Sequence, residues 1–167
     1  MSASAKSAPT GFSAGQIRLH WIVVVLIALQ YVLHDSISEA WRAVRRGEEV
    51  AFDPMVASHV FGGILVLLLV IWRLAIRARR GAPPPPENEP AILKLAAAGT
   101  HLGLYALMVL MPVSGMAAWF GRVDIAGEAH EAMRIVLLAL IALHVAGAFY
   151  HHFVLKTDVL VRMRKPG

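Results

Sequence analysis

The sequence predicts an all-α membrane protein, a bundle of four transmembrane helices that forms one domain over residues 17–155. Hydrophobic residues make up 57% of the 167 residues and charged residues only 16%, a balance that is not typical of a soluble domain of this length. Uncharged runs lie at 19–33, 55–72, 95–121 and 135–155. Most reach the roughly 20 residues needed to cross a hydrocarbon core, where only helices satisfy the backbone polar groups.

The predicted elements follow from these runs in chain order. Residues 1–16 are rich in Ser, Ala, Gly and Pro and predict a short disordered arm. The four helices are predicted at about 17–34, 55–76, 93–119 and 131–154. Residues 156–167 form a basic cytoplasmic tail.

A proline run separates the second and third predicted helices. Pro83–Pro86, followed by polar residues 87–89, predicts a semi-rigid polyproline connector. The connector divides the chain into two helical hairpins.

Lysine and arginine are concentrated on one side of the predicted bundle. That side holds Lys6, Arg18, Arg73, Arg77, Arg79, Arg80, Lys94, Lys156, Arg162, Arg164 and Lys165. On the opposite side, acidic residues accompany the arginines. By the positive-inside rule, we expect a multi-pass protein of the bacterial inner membrane with both termini in the cytoplasm. Because the basic residues lie beside apolar spans, membrane orientation explains them and no nucleic-acid partner is expected.

The chain contains no cysteine. Disulfides, cysteine-ligated iron–sulfur clusters and the covalent attachment of c-type haem are therefore excluded. Any haem in this protein is held without a covalent bond to the chain.

Two histidines on the last predicted helix, His130 and His144, are the strongest functional signal. Fourteen residues at 100° each return to within about 40° of the starting direction, so both imidazoles share a face, roughly 21 Å apart along the axis. Two haems stacked across a bilayer need an axial ligand near each leaflet from one helix, and this spacing supplies both. With histidine partners on other helices, the pattern favours haem over a packing role.

Depth in the membrane limits the partners of these two histidines. At the outer level, the second ligand that could pair with His130 is His59 or His34. Gly62, one turn from His59, together with Gly63 leaves room for a porphyrin plane. His34 stands beside an aspartate at the water boundary, so His59 is favoured. At the inner level, the second ligand that could pair with His144 is His20 or His101. His20 is favoured, although it lies closer to the membrane surface than His144 does.

Ligation by two histidines fills both axial positions of a haem iron, which then transfers electrons and does not bind O₂. Zinc is the rival metal, but it needs a compact tetrahedron of ligands, and no three of these histidines are expected to cluster.

Several short motifs together resemble the bacterial four-helix cytochrome b561 family. They are Arg-Leu-His-Trp at 18–21, Ser-His-Val-Phe-Gly at 58–62, His-Leu-Gly-Leu-Tyr at 101–105, Pro-Val-Ser-Gly at 112–115 and Leu-His-Val-Ala-Gly-Ala-Phe-Tyr-His-His-Phe at 143–153. The resemblance covers nearly the whole chain. It implies two b-type haems, the inner one ligated by His20 and His144 and the outer one by His59 and His130.

The resemblance also implies a superoxide:ubiquinone oxidoreductase, which would take electrons from superoxide at the periplasmic side and reduce ubiquinone. A basic funnel for the anion would draw on Arg42, Arg45, Arg46, Arg122 and Arg134, although five neighbouring acids are available to pair with them. The candidates to bind or protonate a quinone are His101, His151, His152, Arg73 and Lys156.

Two other functions fit parts of the same pattern. A membrane-anchor electron carrier that serves a partner redox enzyme, such as a hydrogenase or a periplasmic cytochrome, needs the same haems and no substrate pocket. A transporter or structural bundle would use the histidines to move protons. Direct oxidation of NAD(P)H has no support, because the chain has no Gly-rich dinucleotide fingerprint.

Overall fold

The computed structural model describes residues 9–86 and 89–167, and all the regular structure in these ranges is helical. The helices are α1 Ala14–Val32, α2 His34–Arg45, α3 Pro54–Arg80, α4 Ala91–Gly121, α5 Asp124–Phe149 and α6 Val159–Arg162; one π-helical turn, Tyr150–Val154, continues α5. Four helices (α1, α3, α4, and α5 with its π turn) are long and apolar enough to cross a membrane, so the predicted fold class is confirmed.

The four long helices pack in the order α1–α3–α4–α5, with neighbours in contact along the series. The tightest packing lies between Val23 of α1 and Val66 and Val70 of α3, and Tyr105 and Met108 of α4 pack against them. Many large apolar side chains of all four helices remain exposed. They face the position of the lipid, which solvates them as well as a protein core would.

The two ends of the bundle differ in charge. The start of α1, the end of α3, the start of α4 and the end of the π turn share one end, here called the basic end, which corresponds to the predicted cytoplasmic side. Near it the C-terminal segment meets the residues before α1, because the Gly167 N–H donates to the Phe12 carbonyl at 3.2 Å. The tail also folds back onto α1, where the Trp21 Nε1–H donates to the Met163 carbonyl at 2.9 Å.

Helix α1 begins three residues before its predicted start. Ser13 accepts from the Gln16 N–H while the Gln16 side chain accepts from the Ser13 N–H, which satisfies two free donors at the helix start. Gln16 is buried and also donates to the Gly81 carbonyl. The helix therefore includes residues 14–16 of the predicted arm; residues 1–8 of that arm lie outside the described residues.

Helix α2 was not predicted and lies at the end opposite the basic end. Ile37, Ala40, Trp41 and Val44 follow the spacing of one helix face, and Asp35 in the first turn and arginines in the last turn oppose the helix dipole. The indole of Trp41 covers α5 at Gly127, where a Cβ would lie 2.9 Å from Trp41 Nε1. Glycine at 127 is therefore what permits this contact.

The connector between α3 and α4 packs against the C-terminal segment. Helix α3 runs to Arg80, four residues past its predicted end, and stops at Gly81, which has a φ of 84° that favours glycine. The Pro84 carbonyl then accepts a hydrogen bond from Arg162 Nη1 at 2.9 Å. Residues 87 and 88 of the predicted connector lie outside the described residues.

Candidate functional site

Two pairs of histidines face each other at different levels of the bundle. The rings of His20 on α1 and His144 on α5 have their centres 6.3 Å apart, and those of His59 on α3 and His130 on α5 are 6.4 Å apart. An iron held between two imidazole nitrogens at about 2 Å each places the ring centres roughly 6.3 Å apart. Both pairs therefore have the spacing of bis-histidine haem ligands. They are called the inner pair and the outer pair after the predicted membrane sides.

His101, the predicted alternative to His20, lies closer to His144 than His20 does. The ring centre of His101 lies 5.1 Å from that of His144, which is too close for an iron with one ring on each side. Its Nδ1 lies 2.7 Å from the Ala97 carbonyl of its own helix. His101 is thus a neighbour of the inner pair.

His130 in the outer pair is oriented by α4. Its Nδ1–H donates to the Met111 carbonyl at 2.8 Å, and the Ser114 hydroxyl lies 3.3 Å from the same nitrogen. A histidine that donates one ring N–H to a carbonyl keeps the other nitrogen free for a metal. The opposite ring, His59, has a buried Nδ1 without a hydrogen-bond partner in the described part of the chain.

A cavity of about 820 Å³ adjoins the outer pair. Its wall is mostly apolar, and it includes both histidines of the pair, Gly63, Met108 and Gly115. A space of this volume and polarity is of the kind that binds cofactors. Together with the orphaned nitrogen of His59 and the spacing of the rings, it fits a haem.

The two glycines predicted to make room for a porphyrin have different neighbours. A Cβ at Gly62 would lie 2.5 Å from Nε2 of Gln30, so the missing side chain makes room for Gln30 of α1. The next residue, Gly63, lines the cavity. The two glycines point in directions about 100° apart around α3, which explains the difference.

The predicted alternative to His59, His34, lies at the rim of the same cavity. Its Nε2 lies 3.3 Å from the Ser38 hydroxyl and 3.9 Å from the carboxylate of Glu131. These polar contacts are those of an interfacial histidine.

Gly115 permits the position of the His130 ring, and its replacement gives a direct test of the outer pair. A Cβ at residue 115 would lie 3.1 Å from Cε1 and 3.2 Å from Nδ1 of His130. We expect Gly115→Val to displace the ring from Met111 and to weaken haem retention at the outer pair about tenfold, as loss of an orienting contact does. Gly99→Val on the same helix is the control, because nothing lies within 4 Å of that position. The measurement is haem bound per chain during detergent washing, and equal retention in both variants would contradict the prediction.

Most of the predicted outer arginines are paired with acids. Arg45 lies 3.5 Å from Asp124, and Arg134 and Arg46 pair with Glu131 and Glu48 respectively. The hydrogen bond from Arg46 lowers the pKa of Glu48. Three of the five predicted funnel residues are therefore largely neutralised.

Arg42 differs from these three. It lines the cavity, its Nε donates to the Ser38 carbonyl at 3.2 Å, and no carboxylate in the described ranges lies within ion-pair distance. The remaining funnel residue, Arg122, lies over the ring of Trp119, 5.9 Å from its centre. Arg42 is the cation available to an anion at the cavity mouth.

The five predicted quinone residues lie in three separate parts of the structure. Arg73 contacts the inner pair, where its Nη1 is 2.7 Å from Nδ1 of His20, and His101 lies beside it. His151 and His152 belong to the π turn at the basic end. Lys156 is exposed at the surface just after that turn.

Glu89 was not predicted as a site residue. Its carboxylate lies 3.0 Å from Nε2 of His151, without hydrogen-bond alignment, and both side chains are largely buried. The proline connector brings Glu89 to the π turn. The sequence gives no sign of this contact because the two segments are far apart in the chain. Met111 and Ser114, which contact His130, and Tyr105, which contacts Arg73, were also missed. Tyr105 and Ser114 lie within the motifs at 101–105 and 112–115, and Met111 directly precedes the second of these.

Comparison with known proteins gives a consistent result. A family profile described as prokaryotic cytochrome b561 matches residues 11–166. The chain is similar to a protein named cytochrome b562 from Cereibacter sphaeroides, with 35% identity over 93% of this chain and 96% of the relative. It is 29% identical to "Probable superoxide oxidase CybB" of Yersinia pestis, over 91% of this chain and 94% of the relative. It is also 29% identical to "Cytochrome b561 homolog 1" of Escherichia coli, over 91% and 96%.

Proposed function

The chain belongs to the prokaryotic cytochrome b561 family, whose members are membrane electron-transfer proteins with b-type haem, and we propose that it oxidises superoxide and reduces ubiquinone. The observation that carries the proposal is the presence of two histidine pairs with ring centres 6.3 and 6.4 Å apart at two levels of the bundle. His130 and His144 lie on one helix, about 21 Å apart along its axis. Electrons can thus be carried from one side of the membrane to the other.

Each pair is proposed to hold one b-type haem. His20 and His144 would hold the inner one, and His59 and His130 the outer one. When bound, each haem would supply a one-electron redox centre. The Met111 carbonyl, which accepts from Nδ1–H of His130, would orient that ligand.

Superoxide is proposed as the donor because it is a small anion and the outer cavity carries one cation without a carboxylate partner in the described ranges, Arg42. The rim as a whole is balanced, since Asp35, Glu128 and Glu131 accompany Arg42, Arg45 and Arg134. Local attraction by Arg42 therefore matters more than the net field of the rim. The printed name of the Yersinia pestis relative names a superoxide oxidase, which supports the same donor.

Ubiquinone is proposed to be reduced at the basic end, next to His151. Two superoxide anions, one quinone and two protons give two O₂ and one quinol, so this end must supply protons. His151 and Glu89 form a protonatable pair there, 3.0 Å apart and shielded from solvent. His152, with a buried Nδ1 that lacks a partner in the described part of the chain, is the second group able to contact a quinone oxygen.

Rapid mixing tests this proposal. Oxidised protein mixed with superoxide should develop the absorption bands of ferrous haem during rapid mixing. Ubiquinone added afterwards should reoxidise the haem. His151→Gln is expected to slow only the second step, the reduction of ubiquinone, since the donor site lies at the other end of the bundle. His34→Gln, at the rim of the outer cavity, is the control that should leave this second step unchanged. Haem reduction no faster than with free haem in detergent would rule out superoxide. The partner-enzyme function would then lead, and stable co-purification of a redox partner would support it.

Both termini are proposed to lie in the cytoplasm, because the basic end carries most of the lysines and arginines. A reporter fused after Gly167 should be active only if it is one that works in the cytoplasm. Activity of a periplasmic reporter at the same position would reverse the orientation and exchange the donor and acceptor sides.

A further inference from the structure

The carboxylate of Glu89 is enclosed where the connector after the proline run meets the π turn. Its side chain is 4% exposed, and its Oε1 has no hydrogen-bond partner in the ranges 9–86 and 89–167. Nε2 of His151 lies 3.0 Å from this oxygen, and the His151 side chain is only 13% exposed. An ionised carboxylate that is removed from water is costly unless it is paired and hydrogen-bonded. Glu89 should therefore be protonated itself or lie beside a protonated imidazole.

Thr157 occupies the other side of the His151 ring. Its hydroxyl donates to the His151 carbonyl at 3.2 Å, which uses its one hydrogen. The same oxygen lies 3.5 Å from Nδ1 of His151, where it is thus able only to accept. A hydrogen on Nδ1 satisfies this contact and leaves Nε2 of a neutral ring as an acceptor. Two acceptors, Nε2 and the carboxylate oxygen, would then face each other at 3.0 Å unless one more proton lies on one of them.

The backbone of the π turn holds this arrangement in place. The Thr157 N–H donates to the His151 carbonyl at 2.9 Å, and the Leu155 N–H donates to the Tyr150 carbonyl at 3.1 Å. Between them, Lys156 has a φ of 52°, a left-handed conformation that turns the chain and returns Thr157 to the His151 ring. π-helical turns occur frequently at functional sites. The positions of Thr157 and His151 are therefore set by backbone geometry.

We propose that His151 and Glu89 share one proton in the resting protein and that this is the first proton that ubiquinone receives. The delivery rests on the proposed function, whereas the storage of the proton does not. A quinone that gains two electrons, supplied by two superoxide anions, must also gain two protons to become a quinol. The pair gives one proton to a quinone oxygen and is left as an ionised carboxylate beside a neutral imidazole. The cytoplasm supplies the second proton and reloads the pair.

Spectra of the purified protein without quinone test the stored proton. A proton on Glu89 gives the infrared C=O stretch of a carboxylic acid, and a proton on His151 gives the nitrogen-15 NMR signals of an imidazolium, assigned by their loss in His151→Gln. One of these signals is expected at neutral pH, and Glu89→Gln should abolish it. Thr157→Val should weaken it, because Nε2–H can then donate to an ionised Glu89, and Thr157→Ser should restore it. Glu49→Gln, at an exposed position at the opposite end of the bundle, is the control and should leave the signal unchanged.

Rapid mixing of prereduced protein with ubiquinone, in a weakly buffered medium that contains a pH indicator, tests the delivery. In the wild type, quinol formation should precede the uptake of protons from the medium, because the first proton is already in the protein. In Glu89→Gln, quinol formation should be about a hundredfold slower, as expected for the loss of a positioned proton donor, and proton uptake should keep pace with it. Glu49→Gln should behave as the wild type does.

The two experiments separate the proposal from the function on which its second half rests. Absence of both signals from the wild type, or a signal that persists in Glu89→Gln, would reject the stored proton and leave the proposed function intact. Proton uptake in step with quinol formation in the wild type would reject the delivery. If Glu89→Gln fails to fold, Thr157→Val takes its place, and spectra equal to those of the wild type would reject the shared proton. A wild-type protein that reduces no quinone would reject the proposed function and the delivery with it.

Discussion

Replacing His144 with alanine is expected to leave about one haem per chain in place of about two, with the outer haem retained. Replacing His130 is expected to remove mainly the outer haem. In each case one imidazole remains, but a single axial bond holds the group far more weakly than two. Pyridine haemochrome absorption per chain is the measurement.

His34→Ala and His101→Ala are the controls for this result. Both residues lie close to the histidine pairs, and both were alternatives for the ligands, yet His34 contacts Ser38 and Glu131 and His101 is 5.1 Å from His144. Both control variants should keep two haems. Retention of both haems in His130→Ala or His144→Ala, or loss of one in a control, would reject the ligand assignment.

Removing the charge of Arg42 is expected to slow the reaction with superoxide about fivefold at low ionic strength, because a single cation at the cavity mouth attracts the anion. The dependence on salt should also decrease in Arg42→Ala, since screening acts on the attraction that has been removed. Stopped-flow mixing of superoxide with oxidised protein, at several salt concentrations, measures both effects. Haem bound per chain is measured as well, to show that the variant still binds its haem.

Arg46→Ala is the matched variant for Arg42→Ala. Arg46 lies four residues further along the chain and carries the same charge, but it pairs with Glu48 and does not line the cavity. Its removal should leave the superoxide rate and its salt dependence close to the wild type. Equal rates for Arg42→Ala and the wild type would show that the donor does not enter past Arg42.

The transmembrane spans could be predicted from sequence because the bilayer imposes a length of about 20 apolar residues. The face shared by His130 and His144 was predictable too, because it depends only on the angle per residue within one helix. Partners across helices were harder to assign. Apolar residues cover most faces of these helices, so hydrophobic periodicity does not say which face points inward, and it could not separate the surroundings of Gly62 from those of Gly63.

Features of the loops could not be predicted by the same reasoning. Helix α2 is short and carries several charges, and a search for long uncharged runs passes over it, although the spacing of Ile37, Trp41 and Val44 is helical. The pairing of Arg45 with Asp124, and the absence of a carboxylate of the described ranges near Arg42, depend on where α2 sits over the bundle. Contacts such as that between Glu89 and His151 join segments far apart in the chain, and composition gives no signal of them.

A redox-titrated visible spectrum of the purified wild-type protein tests the central claim most directly. The account predicts two low-spin b-type haems per chain that titrate as separate one-electron waves, one for each histidine pair. A single haem, or a high-spin spectrum that indicates an open axial position, would contradict the assignment of two bis-histidine pairs. A colourless protein would contradict electron transfer as the function of these histidines.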